Sequence, residues 1–265
     1  MNTRLVIAQF DEGAEHFDSW SVTRDERMLR GLAEFCGVTP DDELLDVACG
    51  TGAFALHSAT LARSVTGVDI SAGMIAVARK NASDRGLGNA RFVHQNVEGL
   101  GFEDDTFSMV VSRSAFHHMA RHREVFAGMV RCCRPGGTVC IQDIMAYDEE
   151  KTDRFFERME VLIDRSHHRT YTKRDFFELY RDNDTKLEAL FESESLLDFH
   201  DYVDHVAQTD KSRGEIARLL DEGLADPDIA SSFAEKDGRL LWKRRVCTIK
   251  GKKTVQPRKP SGEGY

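Results

Sequence analysis

The chain has 265 residues, 41% of them hydrophobic, enough to bury a sizeable core as one large domain or one domain carrying an insertion. A net charge of −9, with 250–259 as the only basic run, argues against nucleic acid as a partner, because such proteins present a basic face to phosphates. No stretch approaches the ~20 apolar residues of a membrane span, and the first ten residues are too short and mixed for a secretion leader, so a cytoplasmic location is expected. Six cysteines without any Cys-x-x-Cys spacing fit a reduced compartment in which thiols act as small apolar side chains.

Residues 1–42 read as an N-terminal helical cap. Phe17, Trp20, Met28, Leu29, Leu32 and Phe35 recur at near-helical intervals and predict a helix over 22–36, broken at Thr39-Pro40-Asp41-Asp42. From 43 to 144 short apolar strands alternate with helices. Strands are expected at 43–48, 64–69, 90–95, 107–112 and 138–143, with helices at 53–63, 71–85 (capped by Ser71) and 124–133. This alternation means a parallel sheet covered by helices on both faces. Beyond it, helices are expected near 149–166 and 172–182, a strand near 193–199, helices near 200–224 and a last strand at 240–250. Residues 145–185 form a helical lid after the fifth strand in this reading. The main domain runs over 43–250, and 251–265 is a disordered tail.

The functional signal is Leu44-Leu45-Asp46-Val47-Ala48-Cys49-Gly50-Thr51-Gly52 at the junction of the first strand and helix. Gly50 and Gly52 permit a sharp turn and a close ligand approach, and the following helix offers unpaired N–H groups. A branched side chain at Gly52 is therefore expected to block the ligand without unfolding the chain. Asp69, 17 residues beyond Gly52 at the end of the second strand, can accept bonds from both hydroxyls of a ribose. Dinucleotide sites share this layout. Asp46 separates the two cases: a carboxylate four residues before Gly50 repels a pyrophosphate and suits the ammonium group of a methionine moiety.

Asp46 to Gly52 together with Asp69 resembles the first two motifs of class I S-adenosylmethionine-dependent methyltransferases. Cys133-Arg134-Pro135-Gly136-Gly137 resembles the turn that precedes their fifth strand. The resemblance covers about residues 40–145 and is nearest to the group of ubiquinone and menaquinone C-methyltransferases and many small-molecule enzymes. It implies a Rossmann-like α/β fold with a seven-stranded, mostly parallel sheet, and S-adenosyl-L-methionine as cofactor. It further implies that Asp46, Ala48, Gly50 and Gly52 hold the methionine part and Asp69 the ribose. Ile70 and Met74 then flank the adenine, Asn96 and Val97 lie beside it, and Ser112 and Arg113 stand next to the methyl donor.

The segment Arg113-Ser114-Ala115-Phe116-His117-His118-Met119 leaves the carboxyl end of the fourth strand, where open α/β sheets bind ligands. His117 or His118 can take a proton from an acceptor oxygen, nitrogen or carbon. His117 stands near the position where the quinone enzymes carry Arg, so the resemblance does not extend to their substrate. His167, in a Ser-His pair of the lid, is a third candidate, and Tyr147, Phe155, Phe156 and Met159 could line an apolar acceptor pocket. His118 and His122 share a helical spacing, but no third ligand accompanies them and no metal is expected. The expected activity is methyl transfer to a small-molecule acceptor. A non-catalytic S-adenosylmethionine-binding protein and an NAD-dependent oxidoreductase are the alternatives, and a homodimer is compatible with the sequence.

Overall fold

The computed structural model describes residues 3–20, 25–205 and 209–255. Helices α1 (Thr3–Ser19) and α2 (Glu26–Cys36) precede strand β1 (Glu43–Val47), α3 (Ala53–Ala59), β2 (Ser64–Asp69), α4 (Ala72–Asp84) and β3 (Ala90–His94). β4 (Phe107–Arg113), α5 (His122–Cys132), β5 (Cys133–Ile144), α6 (Glu150–Ile163) and α7 (Lys173–Arg181) follow. β6 (Thr185–Asp198), α8 (Phe199–His205), α9 (Asp210–Leu224), α10 (Pro227–Ala230), β7 (Phe233–Lys236) and β8 (Arg239–Lys253) complete the chain.

The strands form one sheet in the order β3-β2-β1-β4-β5-β8-β6. β1 to β5 run parallel, whereas β8 is antiparallel to both β5 and β6. The expected seven strands become eight because β7 makes a short hairpin with the start of β8. Alternation along the strands builds the two faces. Leu45, Val110, Val139 and Ile141 pack with α5 and α7 on one side. Leu44, Met109, Val111 and Cys140 pack with α2, α3 and α4 on the other.

Two helices replace the single one expected over 22–36. Asp25 caps α2 by accepting N–H bonds from Arg27 at 2.9 Å and Met28 at 3.2 Å. Residues 21–24 lie outside the described residues, as do 256–265 of the expected tail, while β8 runs through 251–253. A third core, centred on Trp242, joins α6, α8, α9, α10 and β7. Tyr147, Phe155, Phe156 and Met159 belong in or against this core instead of lining an acceptor pocket. The approach of α6 to α9 there is close enough that a Cβ on Gly223 would collide with the Phe155 ring.

Candidate functional site

The carboxyl ends of the parallel strands open into a cavity of about 260 Å³, and α1 closes it from above through Val6, Phe10 and Phe17. The loop after β1 forms one wall. Ala48, Gly50 and Gly52 all take left-handed backbone angles, with φ of 58°, 54° and 83°. Ala48 accepts this conformation without being glycine, as does Ser114 at the end of β4, and both line the cavity. Such conformations in non-glycine residues gather where structure serves a ligand.

The two glycines of the motif differ in role. A Cβ on Gly50 would meet nothing within 4 Å, so this backbone faces open space. A Cβ on Gly52 would come within 2.8 Å of the Phe92 ring and 3.2 Å of Ala78. Gly52 therefore serves the packing of the turn against β3 and α4, and its expected part in holding a ligand is not supported by its surroundings. Asp69 lines the cavity and ties two loops together. Its Oδ2 accepts the Gly50 N–H at 2.8 Å and its Oδ1 the Ser71 N–H at 2.9 Å. Ile70, Met74, Asn96 and Val97 complete this half of the wall. Asn96 also caps a short 3-10 turn by accepting the Glu98 N–H at 3.0 Å.

Asp46 is buried behind this wall and is absent from the lining. Burial pushes its carboxyl up to about 7, the nearby Arg113 guanidinium opposes the rise, and Asp69 adds to it. Burial likewise raises Asp69, against the amide bonds it accepts. Two buried carboxyls thus stand near the carboxyl ends of the neighbouring strands β1 and β2 at a cost that a cation would relieve. A compact ligand with a cationic end and a flat apolar end fits this half of the cavity, as S-adenosylmethionine does. Ser112 does not reach the cavity; its hydroxyl donates to the Val47 carbonyl at 2.8 Å and ties β4 to β1, whereas Arg113 does line it.

Across the cavity, His117 sits in a 3-10 turn after β4. Its Nδ1 lies 2.6 Å from Asp143 Oδ1 at the end of β5. Asp143 Oδ2 accepts the amides of Ala115 at 2.9 Å and Phe116 at 2.6 Å, which fixes the turn that carries the ring. Burial works against a charged imidazole here, but the Asp143 carboxylate outweighs it and raises the pKa of His117; Asp143 is itself held low. With Nδ1 on the carboxylate, Nε2 is left to act on a ligand.

His118 also lines the cavity, with Nδ1 3.1 Å from Ser166 Oγ. Burial and the neighbouring His117 push its pKa down to about 3, so it is neutral at pH 7. Asp164 holds Ser166 through its N–H at 2.7 Å and its hydroxyl at 2.5 Å, and accepts Gln9 Nε2 of α1 at 2.7 Å. His167 is directed away from the cavity. Its Nε2 pairs with Glu157 Oε1 at 3.0 Å, and its ring stands 5.7 Å from that of His117. His122 bonds through Nδ1 to the Tyr171 hydroxyl at 2.9 Å and starts α5, so it does not share a helix with His118 of the preceding 3-10 turn.

Sequence reading missed Asp143, Asp164, Tyr202, Arg244 and the aromatic face of α1. Asp143 had a usable signal: like Asp69, it stands near the carboxyl end of a parallel strand. The others come from segments folded over the cavity, and no local pattern marks them.

A family model described as a methyltransferase domain matches residues 44–137. An uncharacterized methyltransferase of Bacillus subtilis (strain 168) is 27% identical over 158 residues, covering 60% of this chain and 62% of that protein. A demethylmenaquinone methyltransferase of Geobacillus kaustophilus (strain HTA426) is 29% identical over 141 residues, or 50% of this chain and 60% of that one. The chain thus matches somewhat under two thirds of the length of these two relatives. The crystal structure of a putative methyltransferase from Bacillus halodurans C-125 superposes with a TM-score of 0.79 at 25% identity, covering 86% of this chain and 99% of that one.

Proposed function

We propose that this chain is a class I S-adenosylmethionine-dependent methyltransferase, a reading supported by the methyltransferase-domain match over residues 44–137 and the likeness in fold, and that it methylates a small-molecule acceptor held between α1 and the turn after β4, with His117 as general base. The observation that carries this reading is the His117–Asp143 pair at 2.6 Å, which faces the same cavity as Gly50 and the Asp69 carboxylate that accepts its N–H. The cofactor supplies a methyl group on a sulfonium, an activated leaving group, so the protein's task is alignment, exclusion of water and removal of one proton.

In this reading Asp69 binds the ribose, and Ile70, Met74 and Val97 enclose the adenine beside Asn96. Ala48, Gly50 and Arg113 border the methionine end, and Asp46 acts on its ammonium group through its field from behind the wall. Asp143 fixes the tautomer and orientation of His117, whose Nε2 takes the acceptor proton. His118, neutral and held by Ser166, positions the acceptor. His167 supports the loop from behind.

The test is release of S-adenosylhomocysteine across a panel of hydroxyl, amine and carbon acceptors. His117→Ala should lower turnover by roughly 10²–10⁴ while cofactor affinity holds, the range for a lost general base. Full turnover in that variant would leave proximity as the whole mechanism. Binding of S-adenosylmethionine without turnover on any acceptor would favour the non-catalytic alternative. Preferential binding of NAD would restore the oxidoreductase reading.

A further inference from the structure

The acceptor half of the cavity holds a buried cation that neither the family motif nor the His117 pair requires. Arg244 rises from β8, and its Nη2 lies 2.6 Å from Glu160 Oε1 of α6. The Tyr202 hydroxyl of α8 donates to the other oxygen, Glu160 Oε2, at 2.7 Å. The guanidinium carbon stands 4.9 Å over the Tyr202 ring and 5.2 Å over the Trp242 ring. Only 13% of the Arg244 side chain and 4% of Glu160 are exposed. All of these groups lie outside residues 44–137, yet Arg244 and Tyr202 line the same cavity as His117.

Burying an ion pair is weak ground for stability, since apolar side chains of similar volume serve as well or better. A planar fork of five N–H donors, rigidly held on its faces and engaged by Glu160 at one amino group, is instead suited to a ligand oxygen. The charges around it decide what kind of oxygen. Glu160 neutralises Arg244, His118 is neutral, and Asp143 is an anion bonded to His117 in the base form that takes a proton. Asp164, held by Gln9 and Ser166, remains as an anion on the wall. A permanently charged carboxylate would meet that anion, whereas a neutral molecule that gains negative charge only during the reaction would not.

We infer that Arg244 binds an oxygen of a neutral acceptor, a hydroxyl or a carbonyl conjugated to the reacting atom, and that this acceptor is not a carboxylate. This rests on the methyl-transfer reading given above. As His117 Nε2 takes the acceptor proton, the electron pair left behind forms the bond to the methyl carbon. The carbon–sulfur bond breaks with its pair going to sulfur, and Arg244 stabilises the oxygen while charge passes through it.

The ionisation of 4-nitrophenol, visible by absorbance, tests this at equilibrium in protein loaded with S-adenosylhomocysteine. The wild type should bind 4-nitrophenol at pH 7, handing its proton to His117, with a larger phenolate fraction than the free compound, and should bind 4-nitrobenzoate, which has no proton to give, more weakly. Arg244→Met alone leaves Glu160 buried and unpaired, so the informative variant is Arg244→Met with Glu160→Gln. It should lose the phenolate enrichment and about tenfold to a hundredfold in affinity, the scale of hydrogen bonds to a charged group. Arg244→Lys should recover part of both. All variants should bind S-adenosylhomocysteine as the wild type does. Unchanged 4-nitrophenol binding in the double variant, tighter binding of the benzoate, or no binding of the phenol by the wild type would overturn the inference. Failure of the wild type to bind S-adenosylhomocysteine would instead overturn the methyl-transfer reading.

Discussion

Two glycines that look equivalent in sequence separate once their surroundings are known. Gly50→Ala keeps the core intact but strains a backbone at φ 54° and places a methyl group toward the ligand. It should weaken S-adenosylhomocysteine binding while thermal denaturation stays near that of the wild type. Gly52→Val should unfold or severely destabilise the protein, because the new side chain enters the space of the Phe92 ring and Ala78. A folded Gly52→Val protein that merely failed to bind would restore the expectation that sequence alone suggests. The motif spacing made the loop legible, but it could not tell which glycine faces a ligand and which a phenylalanine 40 residues away. The histidines raise the same difficulty: His117 and His118 are adjacent in sequence, yet Asp143 raises one while burial and His117 lower the other. With His117 as the proposed general base, its neutral form is the active one, and the rate should climb with pH along a limb centred above the ordinary histidine value of ~6.5. Asp143→Asn should move that limb to lower pH and slow the reaction, as followed by kcat/KM across pH 5–9. An unmoved limb would mean that another group titrates.

At the scale of elements, the strand–helix alternation of residues 43–144 was readable because each buried strand is a short apolar run bounded by turns. Helix α1 was not. Its apolar residues Val6, Phe10 and Phe17 face a ligand cavity instead of a core, and Gly13 interrupts the run. Tertiary bonds hold it. Asp11 accepts the Ser71 hydroxyl at 2.5 Å and the Gly73 N–H at 2.9 Å, at the start of α4 and two residues from Asp69. Gln9 reaches Asp164, and Asn81 reaches Asp18 at 3.0 Å. The packing is backbone-close: a Cβ on Gly73 would come within 2.9 Å of the Asp11 carbonyl oxygen. Asp11→Ala should therefore loosen the roof of the cavity and cost about 1–2 kcal/mol of cofactor affinity, the scale of a lost helix cap. Faster amide exchange in α1 of that variant, suppressed by S-adenosylhomocysteine in the wild type, would confirm the coupling. Identical exchange in the two proteins would show that α1 is held independently of this contact.

Over the whole molecule, buried charge makes stability and ligand binding functions of pH. The folded protein keeps a proton on Asp46 up to about pH 7, whereas the unfolded chain releases it near 3.8. Stability from this group is therefore complete below ~4 and declines as pH rises through about 7, by an amount on the order of a few kcal/mol. His117, with its raised pKa, contributes stability that is present below ~6.5 and lost as pH rises through its folded value. Asp143 and Asp164, both held low, act in the opposite sense and lose their contribution as pH falls through their folded values. Thermal denaturation should accordingly give a maximum on the acid side of neutrality. Asp46→Asn should flatten the decline between pH 5 and pH 7, since it mimics the protonated side chain at every pH. The ligand reverses this balance. With the ammonium group of S-adenosylhomocysteine placed near Asp46 as proposed, the ionised carboxyl is favoured, so binding at pH 6 should release a proton, seen by calorimetry in buffers of different ionisation enthalpy. For the same reason the ligand should raise the melting temperature of the wild type more at pH 8 than at pH 6. In Asp46→Asn both effects should vanish. Proton release that persists in the variant would move the ammonium site away from Asp46 and leave Asp69, the carboxyl at the end of β2, as its partner.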